Sequence, residues 1–373
     1  MRITGGQVFD LEQGFAARDL YTDGALLSSA SGDGRTLDAS GCYVIPGLAD
    51  LHFHGCVGED FSDATPQGLQ AMADYELSRG VVWLCPAGMT LPEEQLVRMC
   101  ENAAHHRSVS KRGAELAGIN LEGPFLSEAK KGAQNGAWLR DPDADLLRRL
   151  REISGGLVKL VSVAPERKGA LEFIREVSGL VTVSLAHTTA DYDTARAALD
   201  AGARQITHLY NAMPPFSHRA PGVVGAAFDH PGCRVELICD GVHIHPSVVR
   251  ATFRLFGPER VILISDSMRA AGMPDGAYTL GGQDVTVKGS RAALADGTLA
   301  GSVTDLMGCL KQAASFGIPL ADAVRAASWN PAQVLGIQNR AGTLDAGKEA
   351  SLVLLDQNLE IKTVLLRGEP VER

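Results

Sequence analysis

The chain has 373 residues, 45% of them hydrophobic and 21% charged, the balance of a water-soluble globular protein with room for one large domain and a small one. A net charge of −9 with no basic run argues against nucleic acid or an anionic membrane as partner, so an anionic small substrate needs locally placed cations. No apolar run reaches bilayer-spanning length, and the seven scattered cysteines contain no CxxC pair, which excludes a disulfide frame or zinc knuckle and makes the cytoplasm the expected compartment.

Residues 1 to about 46 read as short strands, Arg2–Phe9, Asp19–Leu27 and Thr36–Ile45, separated by glycines and Asp-Gly steps. Met1-Arg2-Ile3-Thr4-Gly5-Gly6 lacks the apolar core of a signal peptide. Eight short apolar runs then alternate with helical patterns: Leu48–His54, Val81–Pro86, Leu116–Glu122, Leu157–Ala164, Val181–His187, Gln205–Tyr210, Arg234–Asp240 and Arg260–Asp266. Continuous apolar character fits parallel strands buried on both faces. Helices are predicted over Thr65–Ser78, Leu91–His105, Asp143–Glu152, Gly169–Val177, Asp191–Ala201 and Pro246–Phe256, with Asp191 and Ser247 as caps. After the eighth run, 277–302 reads as a β excursion, helical patterns return at Thr304–Ser315 and Leu320–Trp329, and two last strands cover Ala350–Leu355 and Ile361–Leu366. The predicted fold is α/β: a (β/α)₈ TIM-like barrel over 47–339 with a small β-sandwich built from 1–46 and 340–373.

A barrel of this kind carries its site at the C-terminal ends of its strands. Those ends hold His52 and His54, Glu122, His187, His208 and Asp266. In an extended segment His52 and His54 share a face and reach one ion together. Each of these residues alone also reads as an ordinary hydrogen-bonded core residue. Six at matching places in five of the repeats indicate a divalent metal site, and imidazoles with carboxylates suit Zn, Fe, Mn or Co without selecting one.

The same set resembles the amidohydrolase superfamily of metal-dependent hydrolases. Asn120-Leu121-Glu122-Gly123-Pro124-Phe125, Lys130-Lys131-Gly132, His187-Thr188-Thr189-Ala190, Thr207-His208-Leu209-Tyr210-Asn211-Ala212-Met213-Pro214, Asp240-Gly241-Val242-His243 and Ser265-Asp266 are similar to the blocks of N-acetylglucosamine-6-phosphate deacetylases. The resemblance covers essentially the whole chain. It implies hydrolysis of the acetamide of N-acetyl-D-glucosamine 6-phosphate to D-glucosamine 6-phosphate and acetate, with the galactosamine epimer or another N-acyl amino sugar as the alternative substrate. In the mechanism it implies, a metal-bound hydroxide attacks, and Asp266 serves as general base and then as acid to the leaving amine. Glu122, His187 and His208 are implied to hold one tight ion, and the retained His52 and His54 a second, weaker one.

For the substrate, the resemblance points to Asn211, the Ala212 backbone and His243. It also points to Arg219, which reaches into a neighbouring subunit's site and so implies a homodimer. Ala220 follows Arg219 where an acidic residue is common. Gln134 stands where some relatives carry a histidine that polarises the substrate carbonyl, and it can donate an N–H but carries no charge. Carbonyl activation then leans more on metal. A catalytically dead scaffold needs lost ligands, and none is lost. Lys159, within the fourth run, stands too far from the strand mouth to act, and His105-His106 read as a solvated helix end.

Overall fold

The computed structural model describes residues 1–30 and 33–371. Eight parallel strands form its frame: β1 (Leu48–Asp50), β2 (Val81–Leu84), β3 (Ile119–Phe125), β4 (Val158–Val163), β5 (Thr182–Leu185), β6 (Gln205–Ile206), β7 (Arg234–Ile238) and β8 (Val261–Ile264). β1 pairs with β2, and β3 through β8 pair in chain order, every pair parallel. Short strands at Ala87–Gly88 and Glu115–Leu116 bridge the β2 segment to the β3 segment. This is a mixed α/β fold around a curled parallel sheet. Beyond β1 and β8 the chain is tied by backbone hydrogen bonds, Asp266 N–H to the His52 carbonyl at 2.9 Å and His54 N–H to the Ser267 carbonyl at 2.7 Å.

The helices between strands bury one face each and follow the apolar periodicity. Pro66–Ser78 starts at Thr65, whose hydroxyl accepts from Gly68 N–H, and Tyr192–Ala201 starts at Asp191, which accepts from Thr194 N–H. Pro246–Phe256 is capped by His245, not Ser247: the His245 ring nitrogen accepts from Ser247 N–H, and Pro246 takes the first helical position, where its missing donor costs nothing. A helix at Gly222–Asp229 went unforeseen, because its two glycines weaken a helical pattern. In helix Glu93–Val109 the His105 side of the pair is exposed, but His106 is buried, which corrects the reading of both as solvated.

Both ends of the chain enter one six-stranded sheet, in which Leu352–Leu355 runs antiparallel to Tyr43–Pro46. The predicted strand Arg2–Phe9 is two strands, Arg2–Thr4 and Gln7–Asp10, placed in different sheets, with Gly5 at φ +78 making the break. The excursion after β8 is a three-stranded antiparallel sheet, Gly276–Leu280, Gln283–Lys288 and Arg291–Ala293. Its inner face packs on Met89, Ala133 and Met268, and Gln283 Nε2 donates to the Ala133 carbonyl at 2.5 Å.

Candidate metal centre and substrate cavity

Three of the six strand-end candidates share one local geometry. His187, His208 and Asp266 each stand two residues past the end of β5, β6 and β8, and each has a positive φ, 43°, 28° and 49°. Residues with a Cβ occupy this left-handed region at a cost of order 1–3 kcal/mol, and only where surrounding structure imposes it. The ladder therefore stops early: β6 is two residues long, against the six of its apolar run. Glu122 lies inside β3, while His52 and His54 follow β1 outside any strand and without a positive φ, their rings 5.3 Å apart.

The six side chains converge. Glu122, His187 and His208 offer ligand atoms within 4.8 Å of one another, and so do His52, His54 and Asp266; all six residues are buried. His208 Nε2 and His187 Nε2 lie 2.9 and 3.2 Å from Glu122 Oε1, and 3.2 Å from each other. His54 Nε2 stands 3.3 Å from both Glu122 Oε2 and Asp266 Oδ1, and His52 Nε2 is 3.4 Å from Glu122 Oε1.

The far sides of these rings decide what the near sides can be. His187 Nδ1 meets the Lys130 carbonyl at 2.8 Å, and His54 Nδ1 the Ala87 carbonyl at 3.1 Å. A carbonyl only accepts, so each Nδ1 carries a proton and, in the neutral ring, each Nε2 is a lone pair. Those lone pairs face carboxylate oxygens that are also lone pairs. Such a set needs positive charge at its centre, from a proton on the imidazoles or from a cation, and its donors are those a divalent metal uses. Protonation follows the same logic. Burial alone would lower the His54 pKa, but its hydrogen bonds to Asp266 and Glu122 raise it to about 10. Burial alone would raise the Glu122 carboxyl, but the charge of His52 and the hydrogen bonds from His187 and His208 hold it well below the usual carboxylate range. Asp266 is likewise held low, against burial, by the hydrogen bond and charge of the neighbouring histidines. The residues fit a metal.

Above the cluster opens a cavity of about 500 Å³. His54, Glu122, His187, His208 and Asp266 form one part of its lining, and Gln134, Asn211, Ala212 and His243 another. His52 stands behind the wall, fully buried. Gly132, beside the His187 ring, takes a φ of +54 that favours glycine. Gln134 is brought to the metal end: its Nε2 donates to Glu122 Oε2 at 2.6 Å and its Oε1 accepts from Thr90 N–H at 2.7 Å. The Ala212 N–H has no acceptor among the described residues, while its carbonyl accepts from Thr188 N–H. His243 Nδ1 donates to Asp240 Oδ2 at 2.7 Å; burial pulls its pKa down, but that hydrogen bond and the Asp240 charge outweigh it and leave it raised. Arg219 is not brought to this cavity. It is exposed and lines a separate one of about 740 Å³, with Pro214, Pro221 and Asp229.

Sequence reasoning missed the residues that orient these groups. Asp240 stands three residues before His243, a spacing visible in the sequence. Glu166, beyond β4, accepts from the hydroxyl of Thr188 and from Thr189 N–H, fixing the turn after His187. Glu236 in β7 accepts from His52, and a glutamate inside an apolar parallel strand was the available signal.

Residues 43–371 match the model of the amidohydrolase family, and the chain belongs to that family. Within it, the chain is 39% identical over 330 residues to the N-acetylglucosamine-6-phosphate deacetylase of Bacillus subtilis (strain 168), covering 87% of this chain and 83% of that protein. It is 36% identical over 328 residues to the N-acetylgalactosamine-6-phosphate deacetylase of Escherichia coli O157:H7, covering 87% of each. The structure superposes with TM-score 0.90, at 35% identity, on an Asp-to-Ala variant of the Mycobacterium smegmatis N-acetyl-D-glucosamine-6-phosphate deacetylase in complex with N-acetyl-D-glucosamine-6-phosphate, over 99% of this chain and 98% of that one.

Proposed function

We propose that this chain hydrolyses the acetamide of N-acetyl-D-glucosamine 6-phosphate, releasing acetate and D-glucosamine 6-phosphate. The observation that carries the reading is the convergence of Glu122, His187 and His208 beside Asp266 at one end of a cavity of small-ligand size. Glu122, His187 and His208 would hold a tight divalent ion, Zn, Fe, Mn or Co, and His52, His54 and Asp266 a second, weaker one. When bound, the metal lowers the pKa of water and polarises a carbonyl.

The chain's own groups do the rest. Asp266, ionised at neutral pH because its carboxyl is held low, accepts the proton of the attacking water and returns it to the departing amine nitrogen. Gln134 keeps Glu122 oriented through Oε2, a role compatible with its facing the acetyl group. At the other end, the unpaired Ala212 N–H and the Asp240-supported His243 offer donors to the sugar phosphate; Asn211, whose Nδ2 donates to the His208 and Leu209 carbonyls, lines the same end and would turn its amide to join them. Arg219 would complete that end from a second copy of the chain; its exposure, away from its own protomer's cavity, supports a homodimer.

We also read the eight strands as a closed (β/α)₈ barrel over 47–339, supported by the backbone bonds between residues 52–54 and 266–267. The two small sheets of 1–46 and 340–373 we read as a β-sandwich, supported by the pairing of Leu352–Leu355 with Tyr43–Pro46. No helix among the described residues is long and apolar enough to cross a membrane, and seven free thiols, six of them buried, support a reducing cytoplasm.

The Escherichia coli relative gives a second reading, deacetylation of the galactosamine epimer. Acetate release from metal-replete protein with both 6-phosphates and with unphosphorylated N-acetylglucosamine tests the assignment. The glucosamine substrate is expected to turn over fastest. A faster galactosamine epimer would replace the assignment, and equal rates with and without phosphate would remove the roles of Arg219 and His243.

A further inference from the structure

One carboxylate behind the ligands touches both halves of the centre. Glu236, in β7, is fully buried. Its Oε2 accepts from His52 Nδ1 at 3.1 Å and from the His208 backbone N–H at 3.2 Å, and its Oε1 accepts from Gln205 Nε2 at 2.5 Å. Among the described residues His52 is its sole ion-pair partner. A buried carboxylate with no lysine or arginine beside it depends on positive charge reaching it another way. On the opposite edge of the same ring, His52 Nε2 has no hydrogen-bond partner and lies 3.4 Å from Glu122 Oε1 and 3.6 Å from Asp266 Oδ1. The chain carboxylate, imidazole, lone pair is the arrangement that raises a metal ligand's basicity and fixes its tautomer.

We propose that Glu236 is the positioning residue that decides whether the second ion is held. It keeps the proton of His52 on Nδ1, so that Nε2 is presented as a ligand, and it supplies through the ring the negative charge that a second cation needs. The inference rests on the reading that His52, His54 and Asp266 hold an ion. At His208 the same carboxylate grips only backbone, and the His208 ring Nδ1 has no partner. Loss of the Glu236 charge therefore acts on the His52 ring and leaves the His208 ring alone.

Glu236→Gln isolates the charge. The amide has the same shape, its oxygen can take over both Oε2 bonds, and its nitrogen turns toward Gln205, whose own unpartnered Oε1 accepts once that amide rotates. Metal-replete wild type and variant are dialysed against graded chelator, and ions per chain are counted by plasma mass spectrometry. Two ions are expected in the wild type. In Glu236→Gln the ion held by Glu122, His187 and His208 keeps its affinity, and the other is held about 10- to 100-fold more weakly. Two ions released alike by both proteins, or equal weakening of both ions, overturns the role of Glu236 alone. A single ion in the wild type overturns it together with the two-ion reading. Should the variant fail to fold, nitrogen-15 histidine spectra of the loaded wild type decide: a proton on His52 Nδ1 is expected, and one on Nε2 overturns the proposal.

Discussion

The histidines of the two halves of the candidate metal centre are set in different ways, although Asp266 of the second half shares the left-handed turn of the first. His187 and His208 sit at left-handed turns just past their strands, and the orienting partner of the His187 ring is a backbone carbonyl. His52 and His54 follow β1 outside any strand and without a positive φ; the His54 ring meets the Ala87 carbonyl, and His52 is oriented by a buried carboxylate, Glu236, 184 residues away. The left-handed turns of the first half persist because the surrounding fold imposes them, and Glu236 takes part by accepting from the His208 N–H. The second half depends on a long-range electrostatic partner. On this account the first half is the permanent site and the second is the adjustable one.

Breaking the first half has the largest expected effect. His208→Ala removes a ligand of the tight ion, and acetate release should fall by about 10⁴-fold in kcat/KM, the equivalent of several kcal/mol of lost metal assistance. Mass spectrometry of the purified variant should show the tight ion missing; full metal content would mean His208 is not a ligand. Next comes Asp266→Asn, which keeps the shape and removes the base. Steady-state kinetics should show kcat lowered by about 10³-fold with the first ion retained, and a near-normal kcat would place the proton transfer elsewhere. The paired change His52→Ala/His54→Ala sharpens the comparison: ions per chain should drop from two to one, with a smaller fall in rate than either variant above. Gln134→Leu has the smallest reach. It leaves Thr90 N–H unpaired in a buried place and removes one of the donors to Glu122 Oε2, so urea titration should show a loss of about 1–3 kcal/mol, and an unchanged midpoint would show that water or another group replaces the amide.

The sequence carried the frame well, for a physical reason. Parallel strands covered on both faces must be continuously apolar, and the eight runs were. Polar groups that interrupt such runs at their ends have few tasks other than chemistry, so Glu122, His187, His208 and Asp266 stood out, and the structure brings them together with His52 and His54. What stayed hidden depends on contacts across the fold. That β6 ends at Ile206 reflects the turn at His208, which propensity does not announce. Glu236 was in view as a charge inside an apolar strand, but its partner, 184 residues distant, was not. Gln134 was marked by position, yet its bond to Glu122 requires the loop after β3 to fold back over its own strand. Arg219 was marked by its motif, yet it lines a cavity apart from the one beside the histidines.

The central claim is that Glu122, His187 and His208 hold a metal on which amide hydrolysis depends. The most direct measurement is acetate release from N-acetyl-D-glucosamine 6-phosphate by protein stripped with chelator and then titrated with a divalent ion. The account predicts near-complete loss on stripping and recovery that rises with the first ion bound per chain. Undiminished acetate release from protein whose metal has been shown to be gone would contradict it.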